Sequence, residues 1–408
     1  MTLPTLAEFE DAAAVLRDVI VHTPFDVSEH LTELLGAPVY LKLENLQRTG
    51  SFKIRGATYR LSRLSAEERS RGVVAASAGN HAQGVALAAQ KLGIPATIFM
   101  PLGVPVPKLL ATRGYGAEVV LEGATVETPL RLAAEFAERT GAVMIHPYDH
   151  RDIIVGQGTL GLELWDGVPD LETVVVGIGG GGLLAGVAAA VKARAAQEGR
   201  RVRIIGVQAE NSAAYPSSLA AGTPLTVATT PTIADGIAVA RPGDAPFEVI
   251  SELVDEVVTV SDDDIARALL VLLERAKQVV EPAGAVGVAA ILAGKITASG
   301  PTAVILSGGN IDPLLLQRVV AHGLAASGRY MTLQVPLPDR PGQLARVSEL
   351  LAIAGANVIE ALHTRHGQGL QISEVILQLS VETRGEEHRA HVIHVLEEAG
   401  FRPRVALD

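Results

Sequence analysis

Apolar runs of four to seven residues alternate with helical patterns along most of this chain. Val73–Ala76 precedes a helix expected from about Ala82, Ala96–Met100 one from about Val106, and Ala117–Leu121 one from about Thr125. Thr173–Ile178 leads into Leu183–Arg194, and Arg203–Gln208 and Ala303–Leu306 repeat the strand pattern. Short apolar strands separated by helices predict an α/β fold with open parallel sheets covered on both faces. In such folds ligands sit beyond the C-terminal ends of the strands, where the chain turns into helices.

The pattern changes near residue 325. Ala325-Ala326-Ser327-Gly328-Arg329 reads as a linker. After it come an expected strand Tyr330–Pro336, a helix Pro341–Ala354, strands Asn357–Thr364 and Leu370–Val381, a helix Glu387–Ala399 and a strand Arg402–Leu407. That βαββαβ order predicts a small ferredoxin-like sandwich. The expected division is therefore 1–325, a linker 326–329, and 330–408.

Composition narrows the classes of function. A length of 408 residues suits two or three domains, and 48% hydrophobic with 19% charged residues excludes a disordered chain. With 34 Lys plus Arg against 45 Asp plus Glu, the formal net charge is -11, and no long basic run is present, which argues against a nucleic-acid partner. Cysteine is absent, so thiolate catalysis, disulfides and Cys-ligated metals are excluded. Met1–Ile20 carries Glu8, Glu10, Asp11, Arg17 and Asp18 and shows no signal-peptide pattern. The uncharged stretch Thr173–Val191 holds six glycines and reads as strand, turn and buried helix rather than a membrane span. A soluble, cytoplasmic protein is expected.

Four turns could carry chemistry. In Ser51-Phe52-Lys53-Ile54-Arg55-Gly56, Ser51 suits a helix N-cap and Lys53 falls in the first turn, where the helix dipole disfavours an ammonium and lowers its pKa. Such a lysine is a candidate amine nucleophile, although an exposed helix lysine would look the same. Ser77-Ala78-Gly79-Asn80-His81 follows a strand and would offer backbone N–H groups to a carboxylate, or simply cap a helix. Gly177-Ile178-Gly179-Gly180-Gly181-Gly182 lets the backbone wrap round a phosphate. It also fits G-x-G-x-x-G with Glu210 after the next strand, so a dinucleotide-dependent oxidoreductase stays a rival reading. Ser307-Gly308-Gly309-Asn310 could hold a ring nitrogen through the Ser307 hydroxyl, or be a plain turn. An amine, a carboxylate turn, a phosphate cup and a serine for a ring nitrogen together match the parts of a pyridoxal phosphate site. The dinucleotide reading leaves Lys53, Asn80 and Ser307 without a role.

On these residues the sequence resembles the threonine ammonia-lyase (threonine dehydratase) family, within the fold type II, tryptophan synthase β-like pyridoxal phosphate enzymes. The matching stretches are Lys42–Gln47, Ser51–Ala57, Ser77–Gly84, Gly156–Thr159, Gly179–Leu183, Ala234–Gly236 and Ser307–Asn310. The resemblance implies two open parallel-sheet lobes, the smaller (about 47–150) inserted in the larger. It implies that Lys53 bonds to the cofactor, Phe52 lies beside the ring, Asn80 meets the ring hydroxyl, and Gly179, Gly180, Gly181, Gly182 and Leu183 hold the phosphate. Ser307 would meet the pyridine nitrogen, with Gly236 and Glu281 near the ring. Ser77, Ala78, Gly79, Asn80 and His81 would form the turn that receives the substrate carboxylate.

The C-terminal piece resembles an ACT domain, a regulatory module that binds amino acids. By that resemblance Asp339, Pro341, Gly342, Gln343 and Leu344, with Asn357, form the effector position, or the module is purely a dimerisation unit. The implied reaction is β-elimination from L-threonine to 2-oxobutanoate and ammonia, with L-serine giving pyruvate, under control by isoleucine or valine in a homodimer or homotetramer. A serine racemase or serine dehydratase remains an alternative. Similar racemases place an acid/base serine where this chain has Ala78, which cannot transfer a proton. Relatives often bind a cation near the strand that ends with Glu210, and here it is left unassigned, since Glu210-Asn211-Ser212-Ala213-Ala214 does not clearly reproduce the racemase-type ligand set.

Overall fold

The computed structural model describes residues 2–125, 127–326, 328–365 and 373–406. The chain divides into two compact units, Met1–Pro313 and Leu314–Asp408. The division lies at the start of the helix Pro313–Ala326, ahead of residue 325, and that helix reaches only the first residue of the expected linker 326–329.

In the first unit, strands β1 (Phe25–Val27) and β2 (Val39–Lys42) open one sheet. The chain then leaves to build a second sheet from β3 (Val73–Ala76), β4 (Ala96–Met100), β5 (Glu118–Leu121) and β6 (Val143–Met144). It returns with β7 (Thr173–Gly177), β8 (Arg203–Ala209), β9 (Glu256–Val260) and β10 (Thr302–Ile305). The first sheet runs β1-β2-β10-β7-β8-β9 and the inserted one β5-β4-β3-β6. All pairs are parallel except β1 with β2. The strands are buried where the sequence is uniformly apolar, as in Val174, Val175 and Val176 of β7. Helices cover both faces, as parallel sheets require.

Three helices join the two sheets. Lys53–Ser62 buries Ile54, Ala57 and Leu61; Arg151–Gly167 and Gly182–Gln197 are buried along most of their length. They meet through glycines. A Cβ on Gly156 would stand 2.7 Å from Gly56 Cα, and one on Gly186 would stand 2.6 Å from Gly158 N. Both distances are closer than real Cβ atoms approach, so only glycine lets these backbones touch.

Beside this stack lies an interior ionic group in which Lys42 and Glu44 of the Lys42–Gln47 stretch meet Arg55 and Glu163. Arg55 donates from Nε to Glu44 Oε2 (2.8 Å) and from Nη2 to Glu44 Oε1 (2.9 Å), while Nη1 reaches Glu163 Oε1 (2.6 Å). Lys42 Nζ lies 2.7 Å from Glu163 Oε2 and donates to Thr23 O. Two cations thus face two carboxylates in the interior.

The second unit carries β11 (Tyr330–Pro338), β12 (Asn357–Thr364), β13 (Glu374–Glu382) and β14 (Arg404–Val405), in the order β12-β13-β11-β14. With helices Gln343–Ile353 and Glu386–Glu398 this is the expected βαββαβ arrangement. The expected strand residues 370–372 and 407 lie outside the described residues. Among the described residues no helix is long and apolar enough to cross a membrane.

Candidate active site

The turns singled out above converge at the C-terminal ends of the strands. Phe52 N donates to Ser307 O (3.2 Å), Ser51 bridges Gly308, and Gly309 N donates to Gly50 O (2.8 Å). This short antiparallel zipper ties the start of the Lys53 helix to the Ser307 turn. The helix begins at Lys53 with Phe52 as its cap residue, without a side-chain cap. Ser51 is therefore not the N-cap, and its hydroxyl is buried without a partner among the described residues.

Lys53 Nζ donates to Pro147 O (3.0 Å) and sits 5.2 Å from the centre of the Phe52 ring. Burial lowers its pKa to about 8, and the charge of Glu281 opposes the shift only in part. Among the described residues no carboxylate pairs with it. The cause differs from the expected one: desolvation, not the helix terminus, lowers the value and leaves about a tenth of the amine neutral at pH 7.

Asn80 opens the helix Asn80–Leu92. Its Nδ2 donates to Glu281 Oε1 (2.6 Å), and its Oδ1 accepts from Asn310 Nδ2 (2.7 Å). Burial raises the Glu281 pKa to about 7, the charge of Asp235 adds to the shift, and Lys108, Asn80 and Lys53 pull the other way. Gly236 lies beside this carboxyl: a Cβ there would stand 3.9 Å from Glu281 Oε1. Ser77 Oγ accepts from Gly79 N (3.1 Å), which closes the turn and occupies the Gly79 amide. The amides of Ala78, Asn80 and His81 find no acceptor among the described residues. His81 is buried, and its Nε2 lies 2.8 Å from Ile145 O. A carbonyl only accepts, so the imidazole is the donor. Burial, then the Lys53 charge, lowers its pKa to about 3, so it stays neutral.

The glycine run Gly179–Gly182 lies between β7 and the helix Gly182–Gln197, with Gly181 at φ +102°. The amides of Gly179 to Leu183 have no acceptor among the described residues. Side chains could not fit here. A Cβ on Gly180 would collide with the Tyr148 ring, one on Gly181 with the Tyr215 hydroxyl, and one on Gly179 would approach Ile237 Cα to 3.0 Å. Tyr215 Oη donates to Gly180 O (3.1 Å). Tyr148 follows Pro147, so the residue that packs on the cup adjoins the carbonyl that holds Lys53. Neither Pro147 nor Tyr148 was foreseen from the sequence, because nothing in a Pro-Tyr pair signals a site. Nor was Asn310 foreseen beyond its place in a turn.

Comparison with known proteins agrees with this geometry. Residues 16–308 match the family described as pyridoxal-phosphate dependent enzyme, and residues 331–400 match the ACT domain. The chain belongs to the pyridoxal-phosphate dependent enzymes. It is 46% identical to an L-threonine ammonia-lyase of Thermotoga maritima over 98% of this chain and 99% of that protein. It is also 46% identical to an L-threonine ammonia-lyase of Geobacter sulfurreducens, over 96% and 97%. Among solved structures, the processed threonine deaminase isoform 2 of Solanum lycopersicum is 38% identical with a TM-score of 0.73, covering 78% of this chain and 93% of that one. A maize serine racemase is 36% identical with a TM-score of 0.73, covering 79% and 98%.

The residues fit the family's cofactor. Unpaired amides in a cup that excludes side chains suit a phosphate, and a half-buried lysine of lowered pKa suits its aldehyde. The dinucleotide reading of Gly177–Gly182 is set aside. No group of three or more His, Cys, Asp or Glu able to hold a metal occurs among the described residues, so the cation near Glu210 finds no support. In the ACT domain the expected effector residues separate. Asp339 accepts from Arg365 Nε (3.2 Å), and Asp339-Arg340-Pro341-Gly342 lies at the Pro338 end of the sheet, leading into Gln343 and Leu344. Asn357 donates to Glu382 (3.3 Å) at the Tyr330 end. The two groups are about 26 Å apart along the strands, at about 3.3 Å per residue, and do not meet within one chain.

Proposed function

We propose that the protein is an allosterically regulated L-threonine ammonia-lyase that converts L-threonine to 2-oxobutanoate and ammonia, with L-serine as a second substrate giving pyruvate. The observation that carries this reading is Lys53 Nζ, half-buried with no carboxylate paired to it among the described residues, its pKa lowered to about 8, and held at Pro147 O. Near-full-length similarity to two L-threonine ammonia-lyases supports it.

When bound, pyridoxal phosphate supplies an aldehyde for covalent attachment of amines and a conjugated ring that accepts an electron pair. The residues of this chain do the rest. The amides of Gly179 to Leu183, at a helix N-terminus, bind the phosphate. Lys53, once freed as a neutral amine, takes the proton from the substrate α-carbon. The Ser77–His81 turn receives the substrate carboxylate on its free amides. Asn80 donates to the ring hydroxyl. Ser307 meets the ring nitrogen with a neutral hydroxyl, which cannot hold a proton there as a carboxylate does. By leaving that nitrogen without a proton, Ser307 would favour prompt loss of the β-hydroxyl over transamination. Ala78 offers no proton on the face opposite the lysine, which disfavours racemisation.

Purified protein is expected to show a visible absorbance band that Lys53→Ala abolishes, together with formation of 2-oxobutanoate from threonine. Borohydride reduction followed by peptide mapping should place the cofactor's added mass on Lys53. A protein that stays colourless with added pyridoxal phosphate, or that leaves threonine unchanged, ends this reading.

We further infer that a branched-chain amino acid, isoleucine or valine, binds the ACT domain and shifts activity. Asp339, Pro341, Gly342, Gln343, Leu344 and Asn357 are the residues offered for it. Their separation within one chain supports a homodimer or homotetramer in which two copies complete the site.

A further inference from the structure

Asn310 lies three residues beyond Ser307, and its side chain is half-buried. Its Nδ2 donates both to Thr49 O (2.7 Å) and to Asn80 Oδ1 (2.7 Å). A main-chain carbonyl can only accept, so the end of Asn310 that faces Thr49 must be its NH2 group. That same group can only donate, so it requires the oxygen end of Asn80. The NH2 group of Asn80 is then left facing Glu281 Oε1. The direction of every bond in this relay is thus set from the main chain at Thr49.

The surrounding backbone is shaped for the relay. Thr49 adopts φ +64°, an uncommon conformation for a β-branched residue, and so carries strain at the point where the relay starts. A Cβ on Gly50 would come within 2.9 Å of Asn310 Cγ. A Cβ on Gly308 would come within 2.9 Å of Glu281 Cδ and 3.2 Å of Asn80 Nδ2. Glu281 N donates to Gly308 O (3.0 Å), which anchors the far end.

We propose that Asn310 is a positioning residue: it fixes the orientation of the Asn80 amide so that its NH2 group faces Glu281 and the ring hydroxyl of the cofactor. The inference rests on the reading above that Asn80 meets that hydroxyl. Asn310 itself touches neither substrate nor cofactor in this scheme.

The test uses the full-length chain. Asn310→Ala is expected to raise the dissociation constant for pyridoxal phosphate about tenfold and to move the visible band of the bound cofactor. Asn310→Asp sets acceptors against acceptors, so Asn80 must turn over and bring its oxygen against Glu281, which is ionised at about pH 8.5, where the midpoints are compared. The thermal midpoint should fall, with or without cofactor. Adding Glu281→Gln supplies an amide donor to the turned Asn80 and relieves that contact, while the carboxylate of Asn310→Asp still opposes Thr49 O. The double variant is expected to recover part of the lost midpoint, since only the contact at Glu281 is relieved.

Additive losses in the double variant, or an Asn310→Ala protein with unchanged affinity and band, overturn the proposal. If Asn310→Asp alone does not fold, recovery of folding in the double variant supports the relay, and failure of both overturns it. Asn80→Ala separates the two levels of the argument. An unmoved band in that variant ends the placement of Asn80 at the ring. A band moved by Asn80→Ala but not by Asn310→Ala ends the relay alone.

Discussion

Arg55 and Glu44 form a two-pronged ion pair that solvent cannot reach, with N–O distances of 2.8 and 2.9 Å. Burial pushes the Glu44 carboxyl up, yet the charge and hydrogen bonds of Arg55 hold it below the usual carboxylate range. Arg55 lies two residues after Lys53, so the pair anchors the turn that carries the amine. Arg55→Met would leave Glu44 and Glu163 facing each other with only Lys42 between them. A loss of about 3–5 kcal/mol in urea unfolding is expected, because an uncompensated charge stays buried. Arg55→Met combined with Glu44→Gln should cost less than Arg55→Met alone. Equal or greater loss in the double variant would contradict this.

His81 makes stability depend on pH. Its folded pKa, about 3, is below the usual histidine value of 6.5, so its contribution is complete above 6.5 and lost as pH falls toward 3. His81→Gln can still offer a donor to Ile145 O but does not titrate. Between pH 6.5 and 4 the thermal midpoint of the variant should fall less steeply than that of the parent. Parallel curves would show that His81 is not responsible.

Gly180→Ala places a methyl group against the Tyr148 ring. The cup must open or Tyr148 must leave, and Pro147, which holds Lys53, is its neighbour. Cofactor affinity should fall tenfold to a hundredfold, equivalent to about 1.4–2.7 kcal/mol, in a spectroscopic titration with pyridoxal phosphate. A variant that binds the cofactor as tightly as the parent would show that the glycines matter only for folding.

Removal of residues 330–408 should abolish the response to isoleucine and valine, read as initial rates of 2-oxobutanoate formation from threonine. Asp339→Ala in the full chain should weaken that response severalfold while leaving the basal rate within twofold. A truncated enzyme that still responds would place the effector in the catalytic unit.

Much of the fold was legible because buried parallel strands are uninterrupted apolar runs. Val73–Ala76, Ala96–Met100 and Asn357–Thr364 match their expected limits. The helix Arg151–Gly167 was not legible, since Gly156, Gly158 and Gly161 lower its propensity; their value appears only when other backbones press on them. Lys42, Glu44, Arg55 and Glu163 look like surface charges along the chain and become an interior network only once four elements meet. Lys53, Asn80, Ser307 and the glycine run stand out as candidates because turn chemistry is local, while the roles proposed for them rest on the family resemblance. The roles of Pro147, Tyr148 and Asn310 depend on contacts across the fold, which no local pattern carries.

The contacts of Gly56 with Gly156, and of Gly158 with Gly186, make the middle helix a ruler. On one side of it packs the helix that begins at Lys53, on the other the helix whose N-terminal amides are proposed to bind the phosphate. The span between them is measured by main-chain atoms in van der Waals touch, a length that no change of side-chain rotamer can adjust. One methyl group added at any of these four positions would alter the gauge to which both ends of a bound cofactor must conform.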